Sequence, residues 1–202
     1  MLEKSWFKLY ATPRNLVHEI EANPRVGFWV ISSIYGIASS FFFAHFYSFG
    51  FFHSFAFLFF LTSLIGPVLG AFFITLDAWL LHKISFLFGN AASLPRALAI
   101  LAASKVFYLI TLASWLLFFA IDSTTSFLYV SSEASSLCVS LISSSVYFLS
   151  FFLLVQILRK SLSLTFAYAF IQTIILSVLS FSITCLSMFI VRFIYISMVS
   201  FF

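Results

Sequence analysis

Charge is what this chain has least of. Only 8% of its 202 residues are Asp, Glu, Lys or Arg, where soluble domains carry about a quarter. Conversely, 63% are hydrophobic and 21% aromatic, and the mean hydropathy is +1.15. That balance excludes a soluble globular protein, a disordered chain and a nucleic-acid binder built on a basic patch. Cysteine is nearly absent: Cys138 and Cys185 lie inside apolar runs and read as small hydrophobes, so neither a disulfide framework nor a metal site is expected. With only 6 glycines there is no phosphate-cradling loop, and paired carboxylates and CxxC are missing as well. His18, Glu19 and Glu21 form HEIE rather than the metal-binding HExxH. The chain therefore reads as non-enzymatic, with no catalytic, cofactor-binding or metal-ligating residue.

Long apolar runs are what the chain does have. A membrane span needs ~20 apolar residues, so five spans occupy ~100 and leave only short loops and one tail. The pattern predicts an all-α integral membrane bundle in two parts. Residues 1–25 form a cytoplasmic tail in which Thr12-Pro13 caps a short amphipathic surface helix. Leu16, Val17 and Ile20 lie on one face of it, opposite Arg14, His18 and Glu21. Asn23-Pro24 ends that helix and begins the next. Residues 26–202 form a five-helix transmembrane domain with spans at about 26–46, 55–81, 97–121, 137–158 and 164–190. A kink is expected at Gly66-Pro67, and Gly89 is the expected cap after the second span. His45, His53 and His82 fall near span ends, where an amphipathic ring is comfortable at the interface. The 31 Phe are equally consistent with coding bias and with packing, and no function is drawn from them.

The few charges are sharply sorted. The tail holds Lys4, Lys8, Arg14 and Arg25, the loop between spans two and three holds Lys83 and Arg96, and the loop between spans four and five holds Arg159 and Lys160. The opposite loops hold no Lys or Arg, only His53, Asp122 and Glu133. By the positive-inside rule the N-terminus is cytoplasmic and Phe202 external. Such a basic cytoplasmic face implies a bilayer with anionic lipids as partner, alongside a membrane-protein partner or a second copy of the chain, and no nucleic acid.

One acidic residue breaks the pattern. Asp77 precedes Lys83 by six residues, ~9 Å of helix, which places it below the interface. Gly66, Gly70 and Asp77 share a stripe, with Pro67 beside the glycines, that suits close helix packing and points inward. Lys105 lies ~14 Å into the third span, and its side chain leans back toward the depth of Asp77. An intramembrane Asp77–Lys105 ion pair is expected. The alternative is a small secondary transporter, or a transporter subunit, that uses Asp77 as its coupling acid.

The tail segment FKLYATPRNLVHEIEANPR, the long second span and the stretch LLHKISFLFGNAASLPRALAILAASKVFYLI together resemble the Yip-domain family of five-span membrane proteins, whose eukaryotic members interact with Rab-type GTPases. Of the eukaryotic Asp-Leu-Tyr-Gly-Pro motif only Gly66-Pro67 is present. Gly89-Asn90 stands where many members have a double glycine and a basic residue. These departures place the chain among bacterial relatives. The resemblance implies a location in the bacterial cytoplasmic (inner) membrane and a role as a scaffold or membrane-organising factor.

The charge asymmetry makes a direct prediction. Single cysteines introduced at positions 5, 90 and 161 should resist a membrane-impermeant thiol reagent in intact cells, and one at position 130 should react. Labelling at 5 with protection at 130 would invert the topology.

Overall fold

The computed structural model describes residues 13–51, 53–121, 127 and 134–199. In chain order these form α1 (Pro13–Ala22), α2 (Pro24–Phe46), a 3-10 turn (Phe49–Phe51), α3 (Phe55–Leu87), α4 (Leu94–Ser104), α5 (Tyr108–Ile121), α6 (Ala134–Ser161) and α7 (Phe166–Val199). Among the described residues there is no strand. Four helical segments are long and apolar enough to cross a membrane: Gly27–Phe46, Phe55–Leu87, Ser136–Ser161 and Phe166–Leu186. The pair α4 and α5, bent by 43° at its break, makes a fifth if the two count as one span. Lys4, Lys8 and Phe202, most of the 121–136 loop and the side chains of Arg14 and Arg25 lie outside the described residues.

Local chemistry explains the boundaries. Proline opens both α1 and α2, where its fixed φ suits the first helical position and its missing N–H is not needed. At the end of α3, Gly89 takes φ +74°, the Asn90 N–H donates to the Ser85 carbonyl and the Gly89 N–H to that of Phe86. This is the Schellman closure, which satisfies carbonyls the helix leaves open. The end of α6 shares its six-to-one bond, with Ser163 at φ +53° in place of glycine and the Leu164 N–H donating to the Arg159 carbonyl.

The second span is one helix of 33 residues that holds Pro67 inside it and continues past 81 to Leu87, with Gly89 just after it as the expected cap. One expectation needs correction. The third span, expected as one helix over 97–121, is instead interrupted at 105–107. Through the break, Lys105 N–H donates to Ala102 and Tyr108 N–H to the Lys105 carbonyl, tight i to i+3 bonds that keep these donors satisfied.

The break lets α4 serve as the centre of the bundle. Its residues Ala97, Ala99, Ile100, Leu101, Ala102, Ala103 and Ser104 are all buried. Alanine and serine leave room for α1, α2, α3 and α6 to pack around it. The amphipathic α1 is one of these neighbours. Val17 and Ile20 join the same core as α4 and the end of α6, so these two side chains are covered by protein. Toward the far end, α5 reaches a second core in which Phe41, Leu58, Trp115, Phe118, Phe119 and Phe127 meet. The Phe41 and Phe119 rings stand edge to face at 4.8 Å. Other phenylalanines, such as Phe60 and Phe86, lie exposed on the outer surface. The bent pair thus extends from one end of the bundle to the other.

The closest helix contact joins α2 to α3. A methyl group built on Gly36 would overlap the Gly66 carbonyl oxygen, and one on Gly70 would overlap the Ser32 carbonyl oxygen. At Gly66 the same methyl would lie 2.7 Å from Ile37 Cα. All three obstacles are backbone, which cannot move aside as a side chain can. Gly36→Ala and Gly70→Ala should therefore each destabilise the detergent-solubilised protein by ~3 kcal/mol or more, at or above the usual cost of overpacking. Gly27→Ala meets nothing nearer than the Ile20 side chain, at 3.3 Å, with the Ile20 Cα at an ordinary contact distance of 3.5 Å, and should cost far less. Thermal unfolding of the three variants gives the ranking, and parental stability in Gly36→Ala would refute the close seam.

Candidate functional site

A polar layer lies in the interior where the third span breaks. Lys105 occupies the C-terminal cap of α4, and its ammonium lies 4.8 Å from the centre of the Tyr35 ring and 5.7 Å from that of Tyr108. The two rings stand perpendicular with centroids 4.7 Å apart. A cation in this position is held by the negative faces of two aromatic rings, an attraction that strengthens away from water. Asp77, on α3, is 6% exposed and lies beside Ser180 of α7. The Lys105 charge acts on it, and its Oδ1 has no hydrogen-bond partner among the described residues.

The expected Asp77–Lys105 ion pair is not a direct contact. Among the described residues the only ion pair within 4.0 Å is His18–Glu21 at the end of α1, with 3.4 Å between the atoms. The helix break turns the Lys105 ammonium onto the tyrosine faces, so the two charges share one buried layer at longer range. Tyr147 of α6 is near both tyrosines, and Tyr35 has Ser39 beside it. The layer therefore draws on six elements: α2, α3, the break, the start of α5, α6 and α7.

The stripe of Gly66 and Gly70 is buried as expected, with Pro67 half-buried beside it, but its partner Gly36 on α2 was not singled out. The run Ser32-x-x-x-Gly36 carries the small-residue spacing that could have identified it. Tyr108 follows Lys105 by three residues, another legible signal. Ser180 could not have been paired with Asp77 from sequence. Nor could Gln172, wholly buried in α7, whose amide oxygen and nitrogen are both without partner among the described residues.

Both ends of the bundle are tied across loops. At one end the His45 ring, expected at the membrane interface, is buried. It sits 5.2 Å from Trp115, with Nε2 hydrogen-bonded to Ser136 Oγ at 2.9 Å. There Gly50 N–H also donates to the Phe127 carbonyl. At the opposite end, His82 Nδ1–H donates to the Ala92 carbonyl at 2.7 Å, and Ala92 N–H donates to Ser85 Oγ at 3.1 Å. The Arg96 guanidinium, half-buried, donates to the Ser161 carbonyl and so joins the start of α4 to the end of α6. Lys83, Arg159 and Lys160 are exposed at this same end, with Lys83 over the Trp79 ring. The structure thus brings Lys83, Arg96, Arg159 and Lys160 together, while Lys4, Lys8 and the side chains of Arg14 and Arg25 lie outside the described residues. His53 is exposed.

Among the described residues no group of His, Cys, Asp and Glu could hold a metal ion. Compared with known proteins, the chain matches no family model, no curated protein and no solved structure.

The buried layer predicts a non-additive mutational response. Asp77→Asn and Lys105→Met each leave one charge in apolar surroundings and should lose up to about 3 kcal/mol apiece. The double variant, which removes both charges, should accumulate in the membrane at least as well as the poorer single. Strictly additive losses would uncouple the two residues.

Proposed function

We propose that the chain is a non-enzymatic, Yip-like integral membrane protein of the bacterial inner membrane, acting as a scaffold or membrane-organising factor. Five crossings would put α1 and the 88–93 and 162–165 loops in the cytoplasm and the C-terminus outside. The observation that carries this reading is the preorganised basic end. Lys83, Arg96, Arg159 and Lys160 stand on helix ends tied together by the His82–Ala92, Ser85–Ala92 and Arg96–Ser161 bonds, beside a docked α1. A rigid cationic surface at a membrane boundary suits anionic lipids, each Lys or Arg contributing about 1 kcal/mol. It equally suits an acidic face of a membrane-protein partner or of a second copy.

The broken third span favours a second reading, a small secondary transporter or transporter subunit. Interrupted helices with buried charges are features that transporters place near the bilayer midplane. Here the break, Lys105 and Asp77 coincide. Under that reading Asp77 is the coupling acid and must change its protonation during a cycle.

Complementation of a deletion strain separates the two. For a scaffold, the Asp77→Asn, Lys105→Met double variant retains function when it accumulates normally, and Arg14→Gln with Arg25→Gln perturbs function or localisation more. Loss of complementation in the double variant at normal protein level, together with loss of a pH-dependent flux in proteoliposomes, would establish the transporter instead.

A further inference from the structure

The basic end contains a cleft of about 410 Å³ between the loop after α3 and the end of α6. Asn90, Ala91, Arg96, Lys160, Ser161 and Ser163 line it, with Leu162 as its one large apolar contact. Among the described residues no carboxylate does. Its volume is within the roughly 300–1,000 Å³ of small-ligand sites. We infer that this cleft binds the phosphate of an anionic lipid headgroup. The assignment rests on reading this end as the cytoplasmic, lipid-contacting face.

Four observations point to an anion. Two cations line the cleft, and among the described residues no acidic side chain lines it to balance them. Ser161 is 7% exposed, and its Oγ has no hydrogen-bond partner among the described residues, although it lines the cleft. The buried Nε of Arg96 likewise lacks a partner among the described residues, while the same guanidinium is held in place by the Ser161 carbonyl. A fixed N–H and a buried hydroxyl left open beside an ammonium form a donor set suited to a tetrahedral oxyanion.

The fourth observation is electrostatic. Arg96 stands in the first turn of α4, the positive end of that helix, where a cation is disfavoured. The capping position Ser93 makes no side-chain hydrogen bond to the turn. An anion in the cleft would balance the Arg96 charge at this helix start. The two helix C-termini that meet here do not repel it strongly, because local turns consume the Ser85, Phe86 and Arg159 carbonyls.

A lipid is favoured over a soluble phosphate by what surrounds the cleft. Phe86, Leu87, Leu94 and Phe166 are exposed on the adjoining ends of α3, α4 and α7. Trp79 with Lys83 over its ring marks the interfacial level of α3. Acyl chains lying against that apolar rim would bring a headgroup phosphate to the level of Arg96 and Lys160.

The full-length protein in mild detergent, titrated with phosphatidylglycerol, phosphatidylcholine or inorganic phosphate and followed by native mass spectrometry, tests the assignment. The wild type should retain one phosphatidylglycerol in preference to phosphatidylcholine. Lys160→Gln should weaken that binding about fivefold, the effect of one interfacial cation. Ala91→Glu removes no contact and places a like charge in the cleft, so it should weaken binding at least as much. Lys83→Gln, at the same end but outside the cleft, should weaken binding clearly less than Lys160→Gln does. Equal weakening by Lys83→Gln and Lys160→Gln would overturn the cleft while sparing the basic face. Binding insensitive to every one of these charges would overturn the basic-face reading as well. Saturation by inorganic phosphate with no preference among the lipids would assign the site to a soluble anion and overturn the lipid.

Discussion

The backbone-to-backbone contact between α2 and α3 is the constraint on which the rest of the bundle depends. Lipid tails are as apolar as leucine, so burying hydrophobic surface gives membrane helices little reason to associate, and close van der Waals packing has to supply it. Gly36, Gly66 and Gly70, with the Ser32 carbonyl, bring the two helices so close that not even a methyl group fits between them. That contact fixes the rotation of both helices. On α2 it places Tyr35 beside the seam, and on α3 it turns Ile74, Asp77, Ala78 and Leu81 inward.

Around this seam the third span is divided so that its two halves do different work. The small residues of α4 allow it to be enclosed by helices on all sides, an arrangement that a span of Leu and Phe could not adopt without pushing its neighbours apart. In α5, by contrast, Leu109, Ile110, Leu116 and Leu117 are exposed on the outer surface while Trp115 and Phe118 are buried inward. The change of character falls at Lys105. An ammonium at this depth needs a partner, and the perpendicular pair of Tyr35 and Tyr108 provides two ring faces without closing a salt bridge. Asp77 keeps its own place beside Ser180. The bundle thus holds opposite charges in one layer while each is stabilised by different neighbours.

The two ends solve a common problem by different means. Chain leaving a helix carries open carbonyls and N–H groups that must be satisfied at the membrane boundary. One end uses aromatic packing, the buried His45–Ser136 bond and the Gly50–Phe127 bond. The other uses left-handed turns at Gly89 and Ser163 and side-chain bonds from His82, Ser85 and Arg96. Polar ties leave the basic end with cations already oriented, and from this both the proposed scaffold role and the headgroup cleft follow.

The all-helical class, the apolar segments and most of their ends were legible in the sequence, because each rests on local chemistry. Apolar run length sets what can span, proline at 13 and 24 opens helices, and Gly89 closes one. The inward face of Gly66, Gly70 and Asp77 was legible too, since spacing along a single helix determines which residues share a side. What those residues meet was not. Gly36 as the partner of Gly66, Ser180 beside Asp77, Lys105 on the Tyr35 face rather than in contact with a carboxylate, and His45 inside rather than at the interface all join residues far apart in the chain. The break at 105–107 belongs with them: no proline or glycine marks it, and nothing in the local sequence separates it from continuous helix. It forms where the tertiary packing offers Lys105 two aromatic faces and encloses α4 on every side, and pairings of that kind are decided by which helices come to lie against one another, a choice that local periodicity does not encode.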